Sequence, residues 1–155
     1  MKSVLAALAI ASAALSACAT TQAAPAVAEL QAATFYEMRT YYAAPGKFEE
    51  LENRFRNHTM RAFARHGMVN VAYWKPVDNP ENKLVYILAY PSAQAREASW
   101  TAFRVDPEWV AAKAASEANG LLVSKVESVF LRSTDYSPAV RVAVTPESTA
   151  LTAAR

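Results

Sequence analysis

The chain has 155 residues, of which 53% are hydrophobic, so it is long enough for one domain and too apolar to be intrinsically disordered. Its 16 basic and 14 acidic residues are spread along the sequence and leave a net charge of +2, so no nucleic-acid partner is predicted. The single cysteine, Cys18, excludes an internal disulfide and a cysteine-rich zinc site, and we predict neither a metal nor a cofactor.

The N-terminus has the features of a secretion signal. A charged start, Met-Lys-Ser, precedes an apolar run over residues 4–15, which is shorter than the roughly 20 residues that a membrane-spanning helix needs. The run ends in Leu15-Ser16-Ala17-Cys18, which resembles the lipobox of bacterial lipoproteins, where the cysteine is lipidated and cleavage falls just before it. The alternative is ordinary signal-peptidase cleavage near an Ala-x-Ala site. The resemblance predicts a signal peptide over residues 1–17 and a lipid on Cys18, which would anchor an exported, periplasm-facing lipoprotein in the bacterial cell envelope.

Residues 18–33 precede the folded domain and are mainly Ala, Thr, Gln, Pro and Val without periodicity, which is typical of a flexible tether. The first predicted strand then runs from Thr34 to Tyr42, and its alternation places Glu37, Arg39 and Tyr41 on one face. Because Glu37 and Arg39 would lie inside a sheet, we expect them to bind each other or a neighbouring polar group. Arg39 is also a candidate to bind an acidic or carbonyl-bearing molecule, with Glu37 holding it in place, and Tyr41 on the same face is a further candidate for this ligand site.

The middle of the domain is predicted as one helix and two strands. Residues 47–66 carry apolar side chains at helical spacing, acidic residues in the first turns and basic residues in the last, and Gly67 supplies the C-cap. A strand over 68–74 and a polar hairpin loop over 75–82 follow. The next strand, residues 84–90, is apolar at every position and would therefore bury both of its faces.

Two further helices and a fourth strand complete the predicted fold. Ser92 is the N-cap of one helix, and Asp106 is the N-cap of the next, which has proline at its first position. With a strand over 125–132, the order is β-α-β-β-α-β, the ferredoxin-like arrangement of the α+β class, over residues 34–138. In the C-terminal extension, 139–155, alternating valines predict one short strand before a mobile tail.

The strand composition predicts a partner. In the ferredoxin-like arrangement the helices cover one face of the sheet and leave the other face without a layer. Here the strand 84–90 is apolar on both faces, and the strand 34–42 carries aromatic residues on both. Because a large exposed apolar sheet is an association surface, we predict a homodimer formed through the sheet faces.

Several segments between Thr34 and Pro138 resemble the NIPSNAP domain family. They are Tyr36-Glu37-Met38-Arg39-Thr40-Tyr41, Pro45-Gly46-Lys47, His66-Gly67-Met68, Tyr90-Pro91-Ser92, Arg96-Glu97-Ala98-Ser99-Trp100, Asp106-Pro107-Glu108-Trp109 and Thr134-Asp135-Tyr136-Ser137-Pro138. The resemblance implies the dimeric α/β barrel, a ferredoxin-like fold in which two sheets associate. It implies no particular reaction, because the family is defined by its fold.

Four further residues are candidates for a ligand site. His58 and His66 are separated by about 12 Å along a helix, so they cannot share a metal ion without other ligands. His66 is either a C-terminal cap or a ligand, and His58 is either a core histidine with one hydrogen bond or a general base facing a pocket. Trp74 and Trp100 either pack in the core or form walls of an aromatic pocket between sheet and helices.

Two hypotheses of different classes fit these features, since the sequence has no phosphate-binding glycine loop and no nucleophile elbow. The first, which we favour, is a membrane-tethered, non-catalytic binding or interaction module for a small apolar ligand or a protein partner. The second is a cofactor-free oxygenase that acts on an aromatic or quinone-like substrate, with a histidine as base and tryptophans as pocket walls.

Overall fold

The computed structural model describes residues 27–29 and 35–143. The strands are β1 (Val27–Glu29), β2 (Phe35–Ala43), β3 (Val69–Trp74), β4 (Lys83–Tyr90), β5 (Val123–Leu131) and β6 (Arg141–Ala143). The helices are α1 (Phe48–Arg54), α2 (Met60–Arg65), α3 (Ala93–Arg104) and α4 (Pro107–Ser116), and a π-helical segment (Phe55–Thr59) joins α1 to α2. Within the described ranges, no helix is long and apolar enough to cross a membrane.

Four strands form one antiparallel sheet in the order β3-β4-β2-β5. With the helical segments between β2 and β3 and between β4 and β5, this order is the ferredoxin-like topology, so the predicted α+β fold is confirmed. β1 and β6 pair with each other in a separate two-stranded sheet. The sequence predicts a short strand near β6 but none at β1, which lies within the segment predicted as a tether.

The predicted helix over 47–66 is present, with one irregularity. The backbone between Arg54 and Met60 stays helical while the π-helical segment widens one turn of it. The sequence does not predict this turn. The helix ends at Gly67, whose φ of 74° is the left-handed conformation that glycine adopts without strain.

The core lies between the sheet and the helices and is largely aromatic. Tyr86 of β4 is fully buried at its centre, with ring contacts to Tyr41, Phe55, Phe63 and Tyr73 at centroid distances of 5.3–6.0 Å. Such edge-to-face and stacked pairs stabilise the core beyond the area that they bury. The aromatic core fixes the positions of the side chains that form the candidate site.

The middle of the opposite face of the sheet is also apolar, whereas Lys83, Lys125 and Glu127 lie around Tyr42 at one end of that face. The pairing register aligns one row across all four strands on this face, Ala72, Ile87, Met38 and Val129. Trp74 and Val129 are 51% and 46% exposed there. The expectation that Trp74 packs in the core is therefore wrong, because the strand alternation directs its side chain away from the helices.

Candidate functional site

The candidate site contains a charged cluster around Glu37, whose side chain is fully buried in the central strand β2. Arg39 Nη1 donates to Glu37 Oε1 at 2.6 Å, so the predicted pairing of the two side chains is confirmed. Arg96 of α3 donates through Nε to Oε2 at 2.9 Å and through Nη2 to Oε1 at 2.8 Å. This second contact is bidentate, which matches the planar guanidinium to the carboxylate.

Two neutral donors complete the shell of Glu37. Trp100 Nε1 donates to Oε2 at 3.0 Å, and the Tyr90 hydroxyl donates to the same oxygen at 3.4 Å. Burial raises the pKa of Tyr90 above its ordinary value, which keeps the hydroxyl protonated as a donor. Glu37 is therefore held by four side chains from three elements, which makes the cluster a rigid link between sheet and helix.

The electrostatics of the cluster favour the ionised form of Glu37. Burial alone would raise its pKa, but the hydrogen bonds from Arg96 and the charge of Arg39 outweigh burial and lower the pKa to about 2. Two arginines share this one buried carboxylate, and Arg96 also pairs with the exposed Glu97, so the four charges balance. The Arg39 guanidinium also lies 4.4 Å from the centroid of the Trp100 ring, a cation–π contact that confines it.

A cavity of about 240 Å³ lies beside this cluster, between the sheet and the helices. The described residues that line it are Tyr41, Arg54, Phe55, Thr59, Phe63, Phe103, Trp109, Lys113, Glu117, Leu121, Val123 and Val126. Most of the wall is apolar or aromatic, and three charged side chains lie together at one side. A wall of this composition suits a small, flat organic molecule with one polar end.

The charged side of the cavity is built around Arg54, which is only 5% exposed. Arg54 Nη1 donates to Glu117 Oε1 at 2.7 Å, and the guanidinium lies 5.4 Å from the centroid of the Trp109 ring. Lys113 forms a second ion pair with Glu117, one turn of α4 away. Among the described residues, Arg54 Nε has no hydrogen-bond partner.

Of the residues predicted for a ligand site, Tyr41 lines the cavity, and Arg39 lies beside it with its guanidinium 5.5 Å from the Tyr41 ring. Glu37, Arg39 and Trp100 come together in one cluster, as described above. His58 and Trp74 lie elsewhere. His58 is exposed on the outer side of the π-helical segment, so the expectation of a core histidine is wrong.

His66 is the C-cap residue of α2, as predicted, and it makes one further contact. Its Nε2 lies 2.6 Å from Asp106 Oδ2, which also accepts from Arg65. Asp106 Oδ1 accepts from two backbone amides at the start of α4, so its predicted N-cap role is confirmed. Neither histidine is among the described residues that line the cavity. Cys18 lies outside the described residues.

Sequence patterns alone do not identify Arg54 and Arg96 as site residues. Arg54 lies one turn after the buried Leu51, which is the only local signal that its side chain points toward the core. Arg96 reaches Glu37 across 59 residues of sequence, and that contact depends on how α3 crosses the sheet. Among the described residues, no group of three His, Cys, Asp or Glu side chains is placed to hold a metal ion.

The fold and the site together define a class: a ferredoxin-like α+β domain with an aromatic cavity between its sheet and its helices. A family model described as NIPSNAP matches residues 36–138. The chain therefore belongs to the NIPSNAP family. No curated protein matches the chain.

Solved structures agree with this assignment at the level of the fold. A NIPSNAP-like domain protein from Burkholderia xenovorans is 18% identical, with a TM-score of 0.63 over 75% of this chain and 98% of that one. A NIPSNAP family protein of unknown function from Agrobacterium tumefaciens is 22% identical, with a TM-score of 0.60 over 71% and 96%. A monooxygenase of Streptomyces coelicolor, solved in complex with nanaomycin D, is 17% identical, with a TM-score of 0.50 over 68% and 92%.

Proposed function

We propose that this NIPSNAP domain is a binding module that holds a small, flat, mainly apolar ligand in the cavity between its sheet and its helices. The observation that carries the proposal is the cavity itself, about 240 Å³ with aromatic walls from β2, the π-helical segment and α4. Aromatic rings on several sides bind a flat molecule by area and by ring contacts.

Binding is tested by titrating the purified protein with naphthylmethanol, a neutral bicyclic alcohol. Tryptophan fluorescence and isothermal titration calorimetry measure the affinity. Trp109 lines the cavity, so its emission is expected to change on binding. Val126→Phe adds volume inside the cavity and is expected to weaken binding by about tenfold or more through lost space. Val110→Phe adds the same volume on α4 at an exposed valine and is the matched control. Equal affinities in the two variants would contradict the cavity as the binding site.

A cofactor-free oxygenase is the second candidate function. The observation in its favour is the fold shared with the Streptomyces coelicolor monooxygenase. The positions of the histidines favour binding instead, because neither of them is among the described residues that line the cavity. Oxygen uptake with a panel of quinols decides between the two: uptake that Val126→Phe abolishes and Val110→Phe preserves would establish the oxygenase.

The proposal includes an envelope location, which rests on the lipobox-like segment that ends at Cys18. If a lipid on Cys18 is the anchor, the full-length protein is expected to sediment with membranes after a salt wash. Cys18→Ala is expected to release it into the soluble fraction, because one soluble domain without acyl chains has no comparable affinity for a bilayer. A Cys18→Ala protein that still sediments would contradict the lipid anchor.

A further inference from the structure

The charged side of the cavity has an excess of positive charge. Arg54 and Lys113 both pair with Glu117, which leaves one net positive charge among the three side chains. Burial alone would raise the pKa of Glu117, but its hydrogen bonds with Lys113 and Arg54 outweigh burial and lower the pKa. Glu117 is therefore ionised at neutral pH, and the three side chains keep one excess positive charge beside the cavity.

One hydrogen-bond donor of the Arg54 side chain, Nε, has no acceptor among the described residues. Its Nη1 is used by Glu117 and lies 3.4 Å from the Ser116 hydroxyl, while Nε has no partner among the described residues. A buried guanidinium donor is rarely left without an acceptor, because the desolvated N–H is then uncompensated. Arg54 is only 5% exposed and is one of the residues that line the cavity, so its positive charge acts on a molecule bound there with little screening by solvent.

We infer that the ligand of the cavity is an aromatic carboxylate, whose carboxylate binds Arg54 and whose ring lies against Tyr41, Phe55 and Trp109. This inference rests on the proposed function, since it assigns the ligand class of the same cavity. A single negative charge neutralises the excess charge of the Arg54–Glu117–Lys113 group. A hydrogen bond between two ionised groups is stronger than a neutral one, so a carboxylate beside Arg54 is favoured over a neutral polar group.

The test compares two probes of the same shape, naphthoate and naphthylmethanol, by calorimetry at neutral pH. We expect naphthoate to bind the parent protein about tenfold or more tightly, because a charge-assisted hydrogen bond replaces a neutral one. Equal affinities of the two probes would overturn the inference.

Variants locate the effect. Arg54→Met removes the cation and is expected to bring the naphthoate and naphthylmethanol affinities to within about twofold of each other. Arg54→Lys keeps a positive charge but lacks the planar guanidinium, so it is expected to retain part of the preference for naphthoate. If the Arg54 variants do not fold, Lys113→Met serves instead, because Lys113 is half exposed, and it should lower naphthoate affinity alone. Lys75→Met removes an exposed lysine that is not among the lining residues and should change neither affinity.

The outcomes distinguish a failure of the proposed binding function from a failure of the carboxylate specificity. Binding of naphthylmethanol with no preference for naphthoate would leave the binding module standing and overturn the carboxylate specificity. Binding of neither probe to the parent protein would count against the proposed function itself. A preference for naphthoate that survives in Arg54→Met and in Lys113→Met would place the carboxylate elsewhere and overturn the assignment to Arg54.

Discussion

Glu37 is the residue on which the packing between β2 and α3 depends most. Its carboxylate is the buried counter-charge that Arg39 and Arg96 share, and none of its surface reaches solvent. We expect Glu37→Gln to lower the free energy of unfolding by about 3–5 kcal/mol, because the amide keeps the shape but leaves two cations without a buried counter-charge. Urea unfolding of the parent and the variant measures this loss. Glu49→Gln, an exposed carboxylate on α1 away from this cluster, is the matched control and should change little.

The same residue sets part of the pH dependence of stability. Because the pKa of Glu37 falls from 4.5 to about 2 on folding, its contribution is fully present above pH 4.5 and is lost as the pH falls toward 2. The pKa difference corresponds to about 3 kcal/mol. We therefore expect the parent protein to lose stability over this window and Glu37→Gln to lose less. If the parent protein and Glu37→Gln lose the same free energy of unfolding between pH 4.5 and 2, the assignment to Glu37 is contradicted.

At the level of elements, Asp106 connects the end of α2 to the start of α4. One of its oxygens caps α4, and the other accepts from Arg65 and His66. Burial alone would raise the pKa of Asp106, but the hydrogen bonds from Arg65 and His66 outweigh burial and lower the pKa well below its usual range. The carboxylate is thus both a helix cap and an ionic link, and its removal affects two helices at once.

Because Asp106 has two roles, removing its side chain should lower the free energy of unfolding more than removing the N-cap Ser92. Ser92 makes one capping bond, to the amide of Ala95, so Ser92→Ala should destabilise by about 1 kcal/mol. Asp106→Ala should destabilise by about 3 kcal/mol, because it also removes the oxygen that binds Arg65 and His66. Thermal or urea unfolding of both variants compares the costs, and equal losses would show that Asp106 is only a cap.

Local signals in the sequence were sufficient for most elements, and they failed where the structure departs from regular geometry. Ser92 and Asp106 are N-caps as predicted, because a cap is a property of three or four neighbouring residues. His58 lies on the flank of the apolar face of this helix, where a regular helix would bury it in part. The wider π-helical turn changes the helix phase, so His58 is exposed, while Thr59, in the apolar repeat with Leu51 and Phe55, is buried.

In the candidate site, too, contacts within one element could be predicted from the sequence, and contacts between elements could not. The contact between Glu37 and Arg39 follows from strand alternation within three residues, and the sequence predicted it. The contacts from Arg96 and Trp100 come from another element, 59 and 63 residues away, and require the tertiary packing of α3. The cavity cannot be predicted from sequence because it is the space left between elements whose relative positions only the fold determines.

For the whole molecule, the apolar face of the sheet opposite the helices is the feature that most affects behaviour in solution. Its side chains include Met38, Ile87, Val129 and the exposed Trp74, on a sheet whose other face is already packed. Hydrophobic burial scales with the apolar area removed from water, so a second copy of the same face would stabilise both chains. A homodimer through this face, as the strand composition predicts, would also enclose Trp74.

The dimer is tested by placing a charge on the face. Val129 lies in its central row and is 46% exposed, so Val129→Lys is expected to raise the dimer dissociation constant by about tenfold or more, since a buried ammonium without a partner is costly. Val77→Lys adds the same charge at a fully exposed valine in the loop between β3 and β4 and should leave association unchanged. Light scattering over a range of concentrations measures the mass of each protein. A parent domain that remains a folded monomer at micromolar concentration would contradict the dimer, and a dimer that Val129→Lys does not weaken would place the interface on another surface.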